Sequence, residues 1–250
     1  MANVIDLRGV VILGIFVASL LGYSAYRRRR TIAFRKLRGF DELGRSIERA
    51  VEAGERVHLS LGTGSVIGSD SGPAFAGLAV LSRMAMATSM SDKPSVISAG
   101  NGAMMVLAQD SLRSGYQQVG ESTRFKLTAG RMLGPTPFSY VAGLPAVLGT
   151  EDVTVHMMIG SFGAEAALAA DFGERNGIFV LAGSDDVQAQ SLLYATAGYP
   201  LIGEEVFAGG AYLNAGPLHH ASLSTQDLVR FLIVVAILIG TLLHTLGVAL

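Results

Sequence analysis

Glycine-rich turns carry most of the chemistry-bearing pattern in this sequence. Gly62-Thr63-Gly64-Ser65 and Gly160-Ser161-Phe162-Gly163 each follow a short apolar run, and Gly100-Asn101-Gly102 and Gly183-Ser184-Asp185-Asp186 repeat the arrangement. Where such a turn leads from a strand into a helix, the missing side chains let a ligand approach backbone amides at the helix N-terminus, which favours anions. Glycine also builds tight turns with no ligand involved, and for the Gly100 and Gly183 turns that reading is sufficient.

Two of the runs look alike. Val57-His58-Leu59-Ser60-Leu61-Gly62 and Val155-His156-Met157-Met158-Ile159-Gly160 are each followed by Ser or Thr and a further Gly. In a doubly wound sheet of order 3-2-1-4-5-6 the first and fourth strands are neighbours where the strand order reverses, and ligands bind at that point. The expected site therefore comprises Gly62, Thr63, Gly64, Ser65, Gly160, Ser161, Gly163 and Glu165. Glu165 is the candidate for polar contact or general base work. His58 and His156 fall inside the strands, which reads as core packing rather than catalysis.

Sharper assignments fail on spacing. Gly62-x-Gly64-x-x-x-Gly68 departs from the dinucleotide pattern, and Ser98-Ala99-Gly100 ends the second strand without an acid for a ribose hydroxyl. No Gly-Lys-Ser/Thr follows a glycine loop, and Gly68-Ser69-Asp70-Ser71-Gly72 has Asp where a nucleophile elbow needs Ser. A hydrolase using Ser65 or Ser161 lacks triad spacing. There is no Cys, and the five His have no ligand spacing, so no metal site is expected. No cofactor or catalytic residue is assigned.

Charge narrows the partners. Residues 27 to 55 carry nine basic and five acidic residues, whereas 56 to 226 carry eight basic and thirteen acidic. A nucleic-acid partner needs a basic face and is not expected. Asp185 with Asp186, and Glu204 with Glu205, fall at expected helix starts, where carboxylates cap amides. Asp110 and Arg113 have the spacing of a helical ion pair.

The elements that position these residues alternate in type. Phe40, Leu43, Ile47 and Val51 recur at helical spacing and predict an amphipathic helix ended by Gly54. Strands are expected near Val57–Leu61, Ser95–Ala99, Arg124–Thr128, Val153–Ile159 and Ile178–Ala182. Helices fit near Pro73–Met90, Gly102–Val119, Pro137–Leu148, Ala164–Arg175 and Val187–Thr196. This predicts a Rossmann-like α/β domain with a parallel sheet covered on both faces; another three-layer strand order is the alternative. Phe75–Met90 and Phe138–Leu148 are too short or interrupted for membrane spans and read as buried helices.

Two segments differ from the rest. Gly9–Tyr26 and Phe231–Leu250 are uncharged, and as a helix the first spans roughly 27 Å, the thickness of a bilayer core. A signal peptide is disfavoured because Asp6 offsets Arg8 and no cleavage motif precedes Arg27-Arg28-Arg29-Arg30. His244 is the one polar blemish near the far end. Seven basic residues between Arg27 and Arg38 predict that residues 27 to 230 are cytoplasmic, with both termini outside the cell membrane. The same cluster suits anionic lipid, although a topology signal explains it. Ala18 with Gly22 and Ala236 with Gly240 form small-xxx-small pairs that suit helix packing, within the chain or in a homo-oligomer. The expected organisation is an anchor at 1–26, a juxtamembrane segment and helix at 27–55, the α/β domain at 56–227 and a membrane helix at 228–250.

The order Gly62-x-Gly64, Ala108-Gln109-Asp110, Gly160 to Glu165, Gly203-Glu204-Glu205-Val206-Phe207-Ala208-Gly209-Gly210-Ala211-Tyr212 and Gln226-Asp227 before an apolar helix resembles an uncharacterised family of prokaryotic membrane proteins, a domain of unknown function. The resemblance covers about residues 56 to 245. It implies a Rossmann-like domain with a C-terminal transmembrane helix and brings no assigned activity. The functional expectation is a membrane-tethered domain that binds a small anionic ligand or nucleotide; the alternative is a self-assembling scaffold.

Overall fold

The computed structural model describes residues 7–27 and 35–246. The chain divides into two units, residues 1–34 with 216–250, and residues 35–215. Arg28, Arg29 and Arg30 of the basic cluster lie outside the described residues, as do the last four residues and the side chains of Arg27 and His244.

The first unit contains α1 (Leu7–Arg27) and α9 (Pro217–Thr245), which pack on each other. Gly9–Tyr26 and Pro217–Leu243 are each long and apolar enough to cross a membrane. The second helix begins well before Phe231, so Gln226 and Asp227 lie within it. Phe16, Leu20 and Tyr23 are half-buried along one face of α1, while Gly14, Ala18 and Gly22 are exposed on the other.

The second unit opens with α2 (Arg38–Ala53), whose Phe40, Leu43 and Ile47 are buried, as the helical spacing predicts, while Val51 is half-buried and Ala50 is buried beside them. Gly54 ends it with φ of 68°, a left-handed conformation that costs glycine nothing sterically. Five strand–helix steps follow: β1 (Arg56–Gly62), α3 (Ser71–Ala87), β2 (Val96–Ala99), α4 (Gly102–Gln118), β3 (Gly130–Met132), α5 (Pro137–Thr150), β4 (Val153–Ser161), α6 (Ala166–Arg175), β5 (Phe179–Gly183) and α7 (Val187–Thr196). β6 (Tyr199–Leu201) and α8 (Glu205–Tyr212) complete the unit.

All pairings are parallel, in the order β3-β2-β1-β4-β5-β6. The reversal falls between β1 and β4, where a doubly wound order places the first and fourth strands. Both sheet faces are buried. Val57, Leu59 and Leu61 of β1 join Ile97, Met157, Ile159 and the inner faces of α2, α3 and α4 in one core. On the other face Tyr140, Val141 and Leu144 of α5 pack with Met158, Val180 and the alanines of α6.

Two strands depart from the sequence expectation. Phe125 and Leu127 alternate with Arg124, Lys126 and Thr128 like a strand, yet this segment forms 3-10 turns at Ser122–Arg124 and Leu127–Ala129. Arg124 is drawn away to Glu121 and the Ser91 carbonyl. Pairing to β2 passes instead to Gly130–Met132. A side chain at Gly130 would meet Met105 Sδ at 2.7 Å, so a glycine is what lets β3 slide beneath α4. β6 escaped notice because it has three residues, one of them Pro200, which a sheet edge tolerates.

Candidate functional site

The ends of β1 and β4 meet in a register that aligns Gly62 with Ser161. The Thr63 amide donates to the Ser161 carbonyl (3.2 Å), and the Gly100 amide to the Gly62 carbonyl (2.8 Å). Three of the four glycine turns are thereby stitched together at the reversal point. A Cβ on Gly62 would lie 2.1 Å from the Ser161 carbonyl oxygen, and one on Gly160 would lie 2.1 Å from that of Leu61. These two glycines are therefore required by backbone contact alone, and Gly62 also has φ of 72°. Gly64 is less tightly enclosed, with Ser161 Cβ and the Asp70 carbonyl oxygen both 3.0 Å from where its Cβ would be.

Thr63, Ser65, Ser161 and Gly163 are half-buried around these turns, whereas Gly62, Gly64, Gly160 and Glu165 are buried. The amides that the glycine pattern marks for an anion already have one. Ser65 donates its N–H to Asp70 Oδ2 (3.1 Å), and Gly163 donates to Glu165 Oε1 (2.8 Å). Two internal carboxylates thus occupy the two turns symmetrically. Asp70 sits directly before α3 and Glu165 directly before α6, where carboxylates complement the helix dipole. Among the described residues none of Asp70, Glu165, Asp185 and Asp186 has an ion-pair partner, so this edge of the sheet is acidic.

Beneath the turns lies a buried polar chain. His58 Nε2 is 3.0 Å from Ser98 Oγ, which is 2.6 Å from Tyr140 OH, itself 2.6 Å from Ser60 Oγ. Burial pushes the Tyr140 phenol up to about 12, so it stays protonated and donates to one serine while accepting from the other. Both histidines are wholly buried. Desolvation holds His58 well below its ordinary value, helped by the neighbouring His156, and lowers His156 to about 3. Neutral imidazoles follow, consistent with core residues.

Ser65 Oγ accepts from the Ile67 amide, while His58 is committed to Ser98. The described residues contain no group of three or more His, Asp or Glu placed to hold a metal ion. Asp186 caps α7 by accepting from the Ala189 amide (2.7 Å), as expected. Glu205 accepts from the Ile202 amide (3.1 Å) and pairs with Arg35. The expected Asp110–Arg113 pair does not form; both side chains are exposed, where such contacts contribute little. The sequence pattern marks none of Ser60, Ser98 and Tyr140 as site residues, and it marks Asp70 only as the residue that breaks a nucleophile elbow.

A doubly wound parallel sheet with its glycine turns joined at the reversal point, accompanied by two helices long and apolar enough to cross a membrane, defines a Rossmann-like α/β protein with candidate membrane anchors. Residues 3–250 match the family described as a domain of unknown function (DUF6754), and the chain belongs to it. No curated protein and no solved structure matches the chain.

Proposed function

We propose that this is a two-pass membrane protein whose Rossmann-like domain binds a small ligand over the β1–β4 reversal point. The observation that carries the reading is the Gly62–Ser161 alignment, which brings both glycine turns to the position where doubly wound sheets take their ligands. Gly62, Thr63, Gly64, Ser65, Gly160, Ser161, Gly163 and Glu165 surround that position. A phosphate there must displace Asp70 from Ser65 or Glu165 from Gly163, against the repulsion of both carboxylates. A ligand hydroxyl donates to the same carboxylates without displacing either. The favoured ligand therefore presents hydroxyls to Asp70 and Glu165, and any anionic portion of a nucleotide lies away from them.

The basic residues that follow Gly9–Tyr26 support an orientation with the domain on the cytoplasmic side and both termini outside. The direct test is thermal shift of the full chain in mild detergent against nucleosides, nucleotides, sugar phosphates and polyols. A hit on the wild type that disappears in Asp70→Ala and Glu165→Ala is expected. Silence across the panel overturns the reading.

A second reading, self-assembly without a ligand, has its own observation. Gly14, Ala18 and Gly22 are exposed on the face of α1 opposite Phe16, Leu20 and Tyr23, and a Cβ at Gly14 or Gly22 would meet nothing within 4 Å. Such a face suits close approach of a second α1.

A further inference from the structure

Basic side chains gather at the start of α2. Arg35, Lys36, Arg38 and Gly39 line a cleft of about 700 Å³ together with Tyr199 and Glu205. Glu205 is the cleft's only carboxylate, and the Arg35 guanidinium neutralises it. Lys36 and Arg38 are exposed and have neither an ion pair nor a side-chain hydrogen bond among the described residues. The cleft thus has two uncompensated positive charges, in contrast to the acidic reversal point.

Its wall is built rather than trailing. Leu37 packs against the core, and Phe40 stacks on Tyr212 with ring centroids 5.1 Å apart. Tyr212 OH donates to the Arg35 carbonyl. A side chain at Gly39 would meet Leu181 Cδ1 at 2.7 Å, so the start of the helix is pressed onto the β5–β6 side of the sheet. Leu37 supplies no side-chain cap; its carbonyl accepts from the Phe40 and Asp41 amides, and Asp41 is the acidic residue of the first turn.

We propose that this cleft binds a phosphate-bearing group, with Lys36 and Arg38 as its countercharges. The phosphate belongs either to an anionic lipid headgroup or to a free phosphorylated molecule. The inference is independent of the reversal-point site, which uses other residues.

The test titrates the full chain in mild detergent with inorganic pyrophosphate and with short-chain phosphatidic acid, using short-chain phosphatidylcholine as the zwitterionic control. Saturable binding of at least one anionic probe is expected, weakening as salt rises. Lys36→Ala with Arg38→Ala is expected to reduce it about tenfold or more. Arg113→Ala with Lys126→Ala removes the same charge from exposed positions elsewhere and is expected to leave affinity within about twofold. Pyrophosphate binding assigns a soluble ligand, whereas binding of phosphatidic acid alone assigns a lipid headgroup. The proposal is overturned if neither anion binds, if phosphatidylcholine binds as well as phosphatidic acid, if the cleft variant binds like the wild type, or if both double variants lose affinity equally.

Discussion

His58 and His156 are register partners on adjacent parallel strands, and their buried rings face each other with centroids 4.9 Å apart. His58 Nδ1 and both nitrogens of His156 have no hydrogen-bond partner. A charge on either ring would sit beside the other in a low-dielectric core. Both therefore resist protonation while the chain is folded.

This pair makes stability depend on acid. In the unfolded chain the rings titrate near pH 6.5, whereas folded His156 titrates near 3 and His58 well below 6.5. Protons therefore bind the unfolded chain first. Stability present above pH 6.5 is lost as pH falls toward the folded values, at up to about 1.4 kcal/mol per pH unit for each histidine. Thermal melts between pH 7.5 and 5 check this, and His156→Leu is expected to flatten the dependence substantially. An unchanged slope would remove the histidines from the explanation.

Tyr140 bridges Ser60 and Ser98 from the far side of the sheet. Tyr140→Phe keeps the ring but leaves two buried hydroxyls short of a partner, at an expected cost of about 1–3 kcal/mol. Adding Ser60→Ala and Ser98→Ala is expected to cost less than the sum of the three single changes, because the groups share one network. Denaturant midpoints for the single and triple variants measure the coupling.

Glycines of different duty respond oppositely to alanine. Gly160→Ala places a methyl group against the Leu61 carbonyl and is expected to destabilise by about 1–3 kcal/mol or more. Gly44 lies inside α2 with nothing within 4 Å of its missing Cβ, so Gly44→Ala is expected to gain about 0.5–1 kcal/mol. Equal melting temperatures for the two variants would contradict the packing described at the reversal point.

Association through α1 makes a separate forecast. Gly22→Leu is expected to lower the dimer fraction of the full chain in mild detergent while leaving the melting of the α/β unit unchanged. A wild type that is strictly monomeric by mass measurement rejects the self-assembly reading outright.

Local pattern made much of this protein legible. Helical spacing at Phe40, Leu43 and Ile47, the apolar runs ending at Gly62 and Gly160, and the uncharged stretch Gly9–Tyr26 each declare themselves within a few residues, because secondary structure and hydropathy repeat over that range. The alternation of strands and helices led to a doubly wound sheet, whose order makes the first and fourth strands neighbours. Alternation misled at Arg124–Thr128, where contacts with Glu121 and Ser91 outweigh it. Asp70 and Glu165 reach the turn amides from only five and two residues away, local contacts that the glycine pattern does not declare and that make turns suited to an anion acidic. The tertiary structure acts over a longer range. It alone joined His58, Ser98, Tyr140 and Ser60, whose partners lie 40 to 80 residues apart. Sequence spacing has no bearing on such contacts. They arise when the strand order folds distant side chains into one buried space, where each polar group must find a partner or go without.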